Sequence, residues 1–145
     1  MNELHFYRCP VCGKIIWQIH ASETDTVCCG RTMELLIPAS TDGISEKHVP
    51  VVSTSGNHVM IHVGLIAHPM TEDHYIEWIA LQTERDVHFH TLKPGESPYA
   101  CFRLYEETIV NAYAFCNLHM LWRTSEIDSE IDCDACSPTG SGWSR

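Results

Sequence analysis

One short stretch of the sequence decides the fold class, because branched apolar residues recur in it at every second position. The stretch is His58-Val59-Met60-Ile61-His62-Val63-Gly64-Leu65. Positions 59, 61, 63 and 65 fall on one face of an extended chain, and the remaining positions fall on the other. A period of two is typical of a β-strand with one buried face. The stretch therefore predicts a sheet that covers a core.

Similar segments follow at close spacing along the chain. We predict further strands over residues 75–82, 86–92, 99–105 and 109–116. Turn-forming residues separate them, most clearly Lys93-Pro94-Gly95-Glu96. The sequence has no long helical period. Several short strands in this arrangement predict a mainly β protein built around an antiparallel β-sandwich.

The composition excludes some classes of partner. The chain has 145 residues, of which 44% are hydrophobic and 19% are charged, as in globular proteins. Its formal net charge of −10 argues against nucleic acid or an anionic membrane surface as a partner. No apolar run approaches the roughly 20 residues of a membrane helix. Residues 1–10 lack a basic start followed by an apolar stretch, so we expect a cytoplasmic protein.

The sequence divides into four parts. Residues 1–37 hold four cysteines. A segment this small needs an additional stabilising element, such as a bound metal ion, to fold. Residues 38–43 have the Pro, Ser, Asp and Gly of a linker. Residues 44–124 contain the predicted strands. Residues 125–145 are acidic and are expected to form a mobile tail.

Four cysteines in the first part have the spacing of a metal site. They are Cys9, Cys12, Cys28 and Cys29. Two thiolates three residues apart on a tight turn can reach one ion, and Gly13 permits the positive φ of such a turn. A turn at Gly30 would bring the adjacent pair to the same ion. Four thiolates suit iron or zinc, and a purely structural zinc site remains an alternative.

A second group of ligand-type residues lies at predicted strand ends and loops. Its members are His48, His68, His74, Cys116 and His119. Residues at strand ends and loops gather at one end of a sandwich, where binding sites are common. Each residue alone is a weak signal.

Four motifs around these residues together resemble the desulfoferrodoxin, or superoxide reductase, family. They are Glu46-Lys47-His48-Val49-Pro50, His68-Pro69-Met70, His74-Tyr75-Ile76-Glu77-Trp78 and Cys116-Asn117-Leu118-His119. The knuckle Cys9-Pro10-Val11-Cys12-Gly13 resembles the desulforedoxin-like domain of the two-iron members. The resemblance covers roughly residues 4–124. It implies a small desulforedoxin-like metal-binding domain over residues 1–37 and an immunoglobulin-like sandwich of seven strands over residues 44–124.

The resemblance also implies a set of ligands and roles. One iron would bind the four cysteines, with zinc as an alternative occupant. A second iron would bind the imidazoles of His48, His68, His74 and His119 in one plane, with the Cys116 thiolate on the axis. The sixth position would be open in the ferrous state, and Glu46 would fill it once the iron is ferric. Lys47 would attract the superoxide anion.

The implied activity is that of a non-haem iron superoxide reductase, which protects against oxidative stress. Superoxide is reduced to hydrogen peroxide with one electron and two protons. The resemblance further implies a homodimer and a rubredoxin-like electron donor. The alternatives are a rubredoxin-like electron carrier, a structural metal-binding protein or zinc-loaded interaction module, and a superoxide dismutase. An electron carrier would have a closed second site, and an interaction module would hold zinc in both.

Two features depart from the family pattern. Met120 stands where the family motif continues with glycine, which would serve a turn with positive φ. We expect the centre to persist, because all five ligand types are present, with methionine able to shift the loop or partly cover the iron face. Cys133 and Cys136 lie in the acidic tail, where negative neighbours raise the pKa of a thiol. We interpret them as idle thiols rather than as a redox pair.

Overall fold

The described chain is built from β-strands alone. The computed structural model describes residues 3–40, 47–124 and 127–128, and within them it contains no helix. No helix long and apolar enough to cross a bilayer is therefore found in this part of the chain. The chain separates into two compact units, Met1–Ile37 and Pro38–Arg145.

The first unit contains five short strands. They are β1 (His5–Arg8), β2 (Ile15–Gln18), β3 (Val27–Cys28), β4 (Arg31–Thr32) and β5 (Glu34–Leu35). Strand β1 lies between β2 and β5, and β3 pairs with β4 in a separate hairpin. Phe6 and Met33 are among the few buried side chains. Such a small core is typical of a domain that a metal ion stabilises.

The second unit is a sandwich of two four-stranded sheets. Its strands are β6 (Pro50–Ser55), β7 (His58–Val63), β8 (Ile76–Thr83), β9 (Val87–Thr91), β10 (Tyr99–Arg103), β11 (Ile109–Cys116), β12 (Met120–Arg123) and β13 (Ile127–Asp128). One sheet has the order β10-β7-β6-β13 and the other has the order β12-β11-β8-β9. Residues from both sheets, including Val52, Ile61, Ile79, Leu81 and Ala114, form the core between them.

The predicted period-two strand is confirmed over His58–Val63, where Val59, Ile61 and Val63 are buried. The prediction was wrong at Leu65, whose side chain is 70% exposed. The strand ends before Gly64, which has a φ of 82°. An L-residue strand cannot continue through that conformation, so the alternation stops there. Strands β8 to β11 match the other four predicted segments to within two residues.

Two expectations outside the core need correction. Strand β13 pairs in parallel with β6, so Ile127–Asp128 is part of a sheet rather than of a mobile tail. The rest of the predicted tail, with Cys133 and Cys136, lies outside the described residues. Cys101 on β10 is disulfide-bonded, whereas a reducing compartment disfavours disulfides and the position of Cys101 in a predicted strand predicts a small core residue. The described free thiols are those of Cys9, Cys12, Cys28, Cys29 and Cys116.

The antiparallel topology explains where a site can form in the second unit. Strand β8 starts beside the end of β11, because Ile76 pairs with Cys116. The loop after β7 and the segment before β6 reach the same end, since Gly64 donates its N–H to the carbonyl of Val49. Loops from both sheets therefore meet at one end of the sandwich.

Candidate metal centres

The four cysteines of the first unit form one cluster. The Sγ atoms of Cys9, Cys12, Cys28 and Cys29 all lie within 4.8 Å of one another. The Cys12 and Cys28 sulfurs are 3.8 Å apart, and those of Cys28 and Cys29 are 3.9 Å apart. Four sulfurs about 2.3 Å from a central ion, in a tetrahedron, would be separated by about 3.8 Å. The spacing therefore fits a tetrahedral metal ion, and we call this group the four-cysteine cluster.

Turns in the left-handed region bring the two cysteine pairs together. Gly13 has a φ of 74° and Gly30 a φ of 71°, so both expected turns are present. Cys29 itself has a φ of 52°, which points its side chain toward the same site as that of Cys28. This conformation is costly for a residue with a Cβ atom, and it persists where a functional contact requires it.

The electrostatics of the four-cysteine cluster favour a cation at its centre. The backbone N–H of Cys12, and then that of Val11, hydrogen-bond to the Cys9 sulfur and lower the pKa of Cys9 to about 6. In contrast, contact with the Cys12 thiol and the neighbouring sulfurs raises the pKa of Cys29 to about 12. Four adjacent sulfurs cannot all be ionised without a positive ion between them, and a bound metal would supply it.

A second cluster forms at the end of the sandwich where the loops meet. His48 precedes β6, His68 lies between β7 and β8, and His74 lies just before β8. Cys116 ends β11, and His119 lies in the turn that leads to β12. We call these five residues the His4Cys cluster. Its members come from four separate segments of chain, and the fold brings all five together.

The imidazoles of the His4Cys cluster form a closed ring. Neighbouring ring centroids are 4.8 Å apart for His48 and His68, 4.6 Å for His68 and His74, 5.1 Å for His74 and His119, and 4.7 Å for His119 and His48. The pair across the ring, His48 and His74, is 6.3 Å apart. The imidazoles therefore surround a common point.

The ligand atoms of the cluster converge on that point. Those of His48, His68, His74 and Cys116 lie within 4.8 Å of one another. The Nδ1 atom of His119 lies 3.0 Å from His48 Nε2 and 3.7 Å from the Cys116 sulfur. The cluster thus presents four nitrogens and one sulfur to a single position.

The protonation chemistry of the cluster fits a metal ion. His68 Nδ1 lies 2.7 Å from the carbonyl oxygen of Pro69, while the Nε2 atoms of His68 and His74 are buried with no hydrogen-bond partner in the described chain. Burial lowers the pKa of His68 to about 4 and also lowers that of His74, so both rings are neutral near pH 7. Burial raises the pKa of Cys116, whose ionised form therefore needs a nearby cation. Neutral imidazoles and a thiolate are the ligating forms, and imidazole suits iron as well as zinc.

Asn117 ties the two ligand loops of one sheet together. Its side-chain oxygen accepts the N–H of Tyr75 at 2.9 Å, and its side-chain nitrogen donates to the carbonyl of Asp73 at 3.0 Å. Asp73 and Tyr75 flank the candidate ligand His74, and Asn117 follows the candidate ligand Cys116. These two bonds hold the ligand segments in register, which explains the asparagine at this point of the motif.

Trp122 supports the cluster from the side of strand β12. Its indole ring stacks on the imidazole of His48, with centroids 4.6 Å apart and an angle of 18° between the planes. Its Nε1–H donates to the carbonyl of His119 at 3.0 Å. One side chain therefore orients two ligands. The sequence carries no local signal for this role, because Trp122 and His48 are far apart along the chain.

Lys47, next to the candidate ligand His48, is one of the two predicted catalytic residues. It is the one that lies within the described part of the chain. Lys47 is partly buried, and its charge acts after burial and the neighbouring histidines to lower the pKa of His74. The backbone of Lys47 lies against Gly64, where a Cβ atom would be 2.5 Å from the Lys47 Cα and carbonyl oxygen. The other predicted catalytic residue, Glu46, lies outside the described residues.

Met120 adopts the conformation expected of the glycine that it replaces. Its φ is 64°, which places a side chain with a Cβ atom in the left-handed region directly after the ligand His119. Strand β12 begins at this residue, and its pairing with Cys116 is retained. Met120 therefore carries the local strain of a non-glycine residue in the left-handed region.

We expect Met120→Gly to stabilise the second unit by up to about 1 kcal/mol, because it relieves a left-handed non-glycine residue. Chemical denaturation with tryptophan fluorescence as the signal measures the change. Met120→Ala is the control, since it shortens the side chain but keeps the Cβ atom and the strain. Equal stabilisation by both substitutions would show that the side chain, rather than the backbone conformation, is the source.

Comparisons with known proteins match both units of the chain to one family. The Desulfoferrodoxin family model matches residues 40–125, and the model of the Desulfoferrodoxin N-terminal domain matches residues 1–36. A desulfoferrodoxin homologue of Archaeoglobus fulgidus is 46% identical over 83% of this chain and 96% of its own. The desulfoferrodoxin of Nitratidesulfovibrio vulgaris is 42% identical over 84% of this chain and 96% of its own.

Solved structures of superoxide reductases are also similar to this chain. The superoxide reductase of Treponema pallidum is similar with a TM-score of 0.71 and 31% identity, over 83% of this chain and 96% of that one. A one-iron superoxide reductase of Giardia intestinalis is similar with a TM-score of 0.50 and 37% identity, over 55% of this chain and 95% of that one. The predicted resemblance is therefore confirmed over both units, and the chain belongs to the desulfoferrodoxin family.

Proposed function

We infer that this chain is a superoxide reductase that converts superoxide to hydrogen peroxide with one electron and two protons. The observation that carries the inference is the His4Cys cluster, in which four imidazoles encircle one point beside a buried thiol. The relatives named superoxide reductase share the fold and the family. Four imidazoles and one thiolate hold iron while adding only one negative charge between them. This small negative charge of the ligands favours the approach of an anion to the iron.

Each residue of the cluster has a distinct task in this proposal. The four imidazoles and the Cys116 thiolate would hold the iron, which when bound supplies the electron and a coordination position for the anion. The Cys116 thiolate contributes electron density from within the core, and this favours release of the electron. Asn117 and Trp122 keep the ligands oriented. The protons come from solvent at the loop end of the sandwich.

We propose that Lys47 attracts the substrate and that Glu46 would supply a further carboxylate ligand to a ferric ion. The net charge of −10 repels an anion from the molecule as a whole. A lysine next to His48, close enough to act on His74, gives the site a local positive potential. Local focusing of this kind raises association rates.

Lys47→Ala is expected to lower the second-order rate constant for superoxide by about tenfold and to weaken its dependence on ionic strength. Pulse radiolysis at several salt concentrations measures both effects. Lys47→Arg retains the charge and serves as the matched control. If the alanine variant keeps the rate and the salt dependence of the unmodified protein, Lys47 does not steer the substrate.

The four-cysteine cluster supports a second redox-active iron. We propose one iron in each cluster, two per chain, with zinc able to replace the iron of the four-cysteine cluster. We also propose a cytoplasmic homodimer that receives its electrons from a rubredoxin-like protein. The family assignment and the acidic, globular composition support this picture. Metal analysis tests the metal content, sedimentation tests the homodimer, and reduction by purified rubredoxin tests the electron donor.

One spectroscopic experiment tests the proposed function. The visible spectrum of the anaerobic protein, recorded before and after addition of a mild oxidant, should show two separate sulfur-to-iron charge-transfer signatures. Azide or cyanide should perturb only the signature of the His4Cys cluster. An electron carrier with a closed site would show no change with either anion, and zinc in both clusters would remove the enzymatic function. Oxygen evolution from superoxide would identify a dismutase instead.

A further inference from the structure

A third group of metal-ligating side chains lies at the other end of the sandwich. Asp86, His88 and Glu107 each offer one ligand atom, and these three atoms lie within 4.8 Å of one another. Asp86 precedes β9, His88 is within it, and Glu107 lies in the loop before β11. The His4Cys cluster lies at the opposite end of β8, a strand of eight residues that spans about 23 Å.

The pairing of the strands explains why these residues meet. His88 lies opposite Leu81, which belongs to the core, so the two side chains are on the same face of the sheet. The exposed Asp86 comes two residues earlier, in the turn that leads into β9. Glu107 reaches the same place because Ile109, two residues further on, pairs with Thr83 at the end of β8. Two segments about 20 residues apart along the chain therefore present ligands to one position.

The hydroxyl of Thr83 fixes the arrangement of the two carboxylate-bearing segments. Its Oγ1 donates to Glu107 Oε2 at 2.6 Å and accepts the backbone N–H of Asp86 at 2.9 Å. Thr83 is fully buried, so this link does not depend on a solvated side chain. A buried hydrogen-bond partner behind a carboxylate is the usual support of a metal ligand.

An independent observation at His88 points to a missing partner. The Nε2 atom of His88 is buried and has no hydrogen-bond partner among the residues that the structure describes. A buried ring nitrogen that is left unpaired costs free energy, and such groups are rare unless an ion or a water satisfies them. The half-buried ring also contacts Phe102 at 5.8 Å between centroids, so it has little freedom to turn toward solvent.

We propose that Asp86, His88 and Glu107 bind a divalent transition-metal ion, with zinc as its type, independently of both iron clusters. One imidazole and two carboxylates are a common donor set for such an ion, and a fourth position would remain for water. The ion would join the β8–β9 turn to the loop before β11, and so fasten two neighbouring connections of one sheet at the end remote from the His4Cys cluster. Its role would be to stabilise the sandwich.

Zinc titration of the iron-loaded protein by equilibrium dialysis tests the proposal. We expect one additional zinc per chain, no loss of the visible iron bands, and a rise of several degrees in the melting temperature. Asp86→Asn and Glu107→Gln should each weaken this binding at least tenfold. Glu106→Gln and Glu84→Gln are matched controls, because they remove neighbouring exposed carboxylates that are not in the group.

Three results would overturn the proposal. The first is the absence of additional zinc at millimolar concentration. The second is equal zinc binding by Asp86→Asn, Glu107→Gln and the controls, which would place the ion elsewhere. The third is zinc uptake only with a matching loss of iron bands, which would assign it to the iron clusters. None of these outcomes depends on superoxide reductase activity, so the proposed function and this proposal fail separately.

Discussion

Cys116→Ser is expected to abolish the sulfur-to-iron band of the His4Cys cluster and to lower the superoxide reductase rate by on the order of 10²-fold or more. Loss of a residue that merely supports a ligand already costs 10- to 100-fold, and Cys116 is the single thiol among the five members of the His4Cys cluster. The sulfur is buried, so a serine hydroxyl in the same place supplies neither the charge nor the electron density. Visible absorption and pulse radiolysis measure the two effects.

Cys12→Ser is the matched control for this prediction. It removes one thiol from the four-cysteine cluster and should change only that cluster's absorption. The two substitutions should therefore delete different bands from the same spectrum. A Cys116→Ser variant that retains both bands and the full rate would show that Cys116 is not a ligand.

Gly64→Ala is expected to destabilise the second unit by roughly 2–5 kcal/mol and to lower iron retention in the His4Cys cluster. A Cβ atom at this position would lie 2.5 Å from the Lys47 Cα, the Lys47 carbonyl oxygen and the Ile66 carbonyl oxygen. All three are backbone atoms, so relief requires the loop that carries Lys47 and His48 to move. A left-handed φ of 82° adds a cost of about 1–2 kcal/mol for an alanine.

Gly56→Ala separates these two contributions. Gly56 also has a positive φ, of 57°, but a Cβ atom there would have no heavy atom within 4 Å. The control variant should therefore show the conformational cost alone and keep its iron. Urea denaturation of both variants, with iron content measured in parallel, gives the comparison. Equal destabilisation and equal iron content in the two variants would rule out a role of Gly64 in placing the loop.

The strands of the sandwich could be predicted because alternation is a local property of the chain. Strand β7 follows the period of two until Gly64 interrupts it, and β11 has the predicted bounds. The short strand β13 could not be predicted in the same way. It is only two residues long and is defined by its pairing with β6 rather than by a pattern of its own. Its acidic surroundings favoured a tail instead.

The candidate ligands and their clustering could be predicted, but the residues that hold them in place could not. Their types and motifs are present in the sequence, so the structure needed only to bring them together. The contact of Gly64 with Lys47 and the stacking of Trp122 on His48 depend on tertiary packing. Neither leaves a periodic or spacing signal. Asn117 has a recognisable place in a motif, yet its bonds to the segment around His74 bridge more than 40 residues.

The chain separation of the ligands has a consequence for the order of metal loading during synthesis. The four-cysteine cluster is complete once Cys29 has left the ribosome, since its ligands span only 21 positions, 9 to 29. The His4Cys cluster joins His48 to His119 across 71 residues and needs most of the sandwich to have emerged. A nascent chain would therefore bind the ion of the four-cysteine cluster early in translation. The ion of the His4Cys cluster would bind only after most of the sandwich had been synthesised.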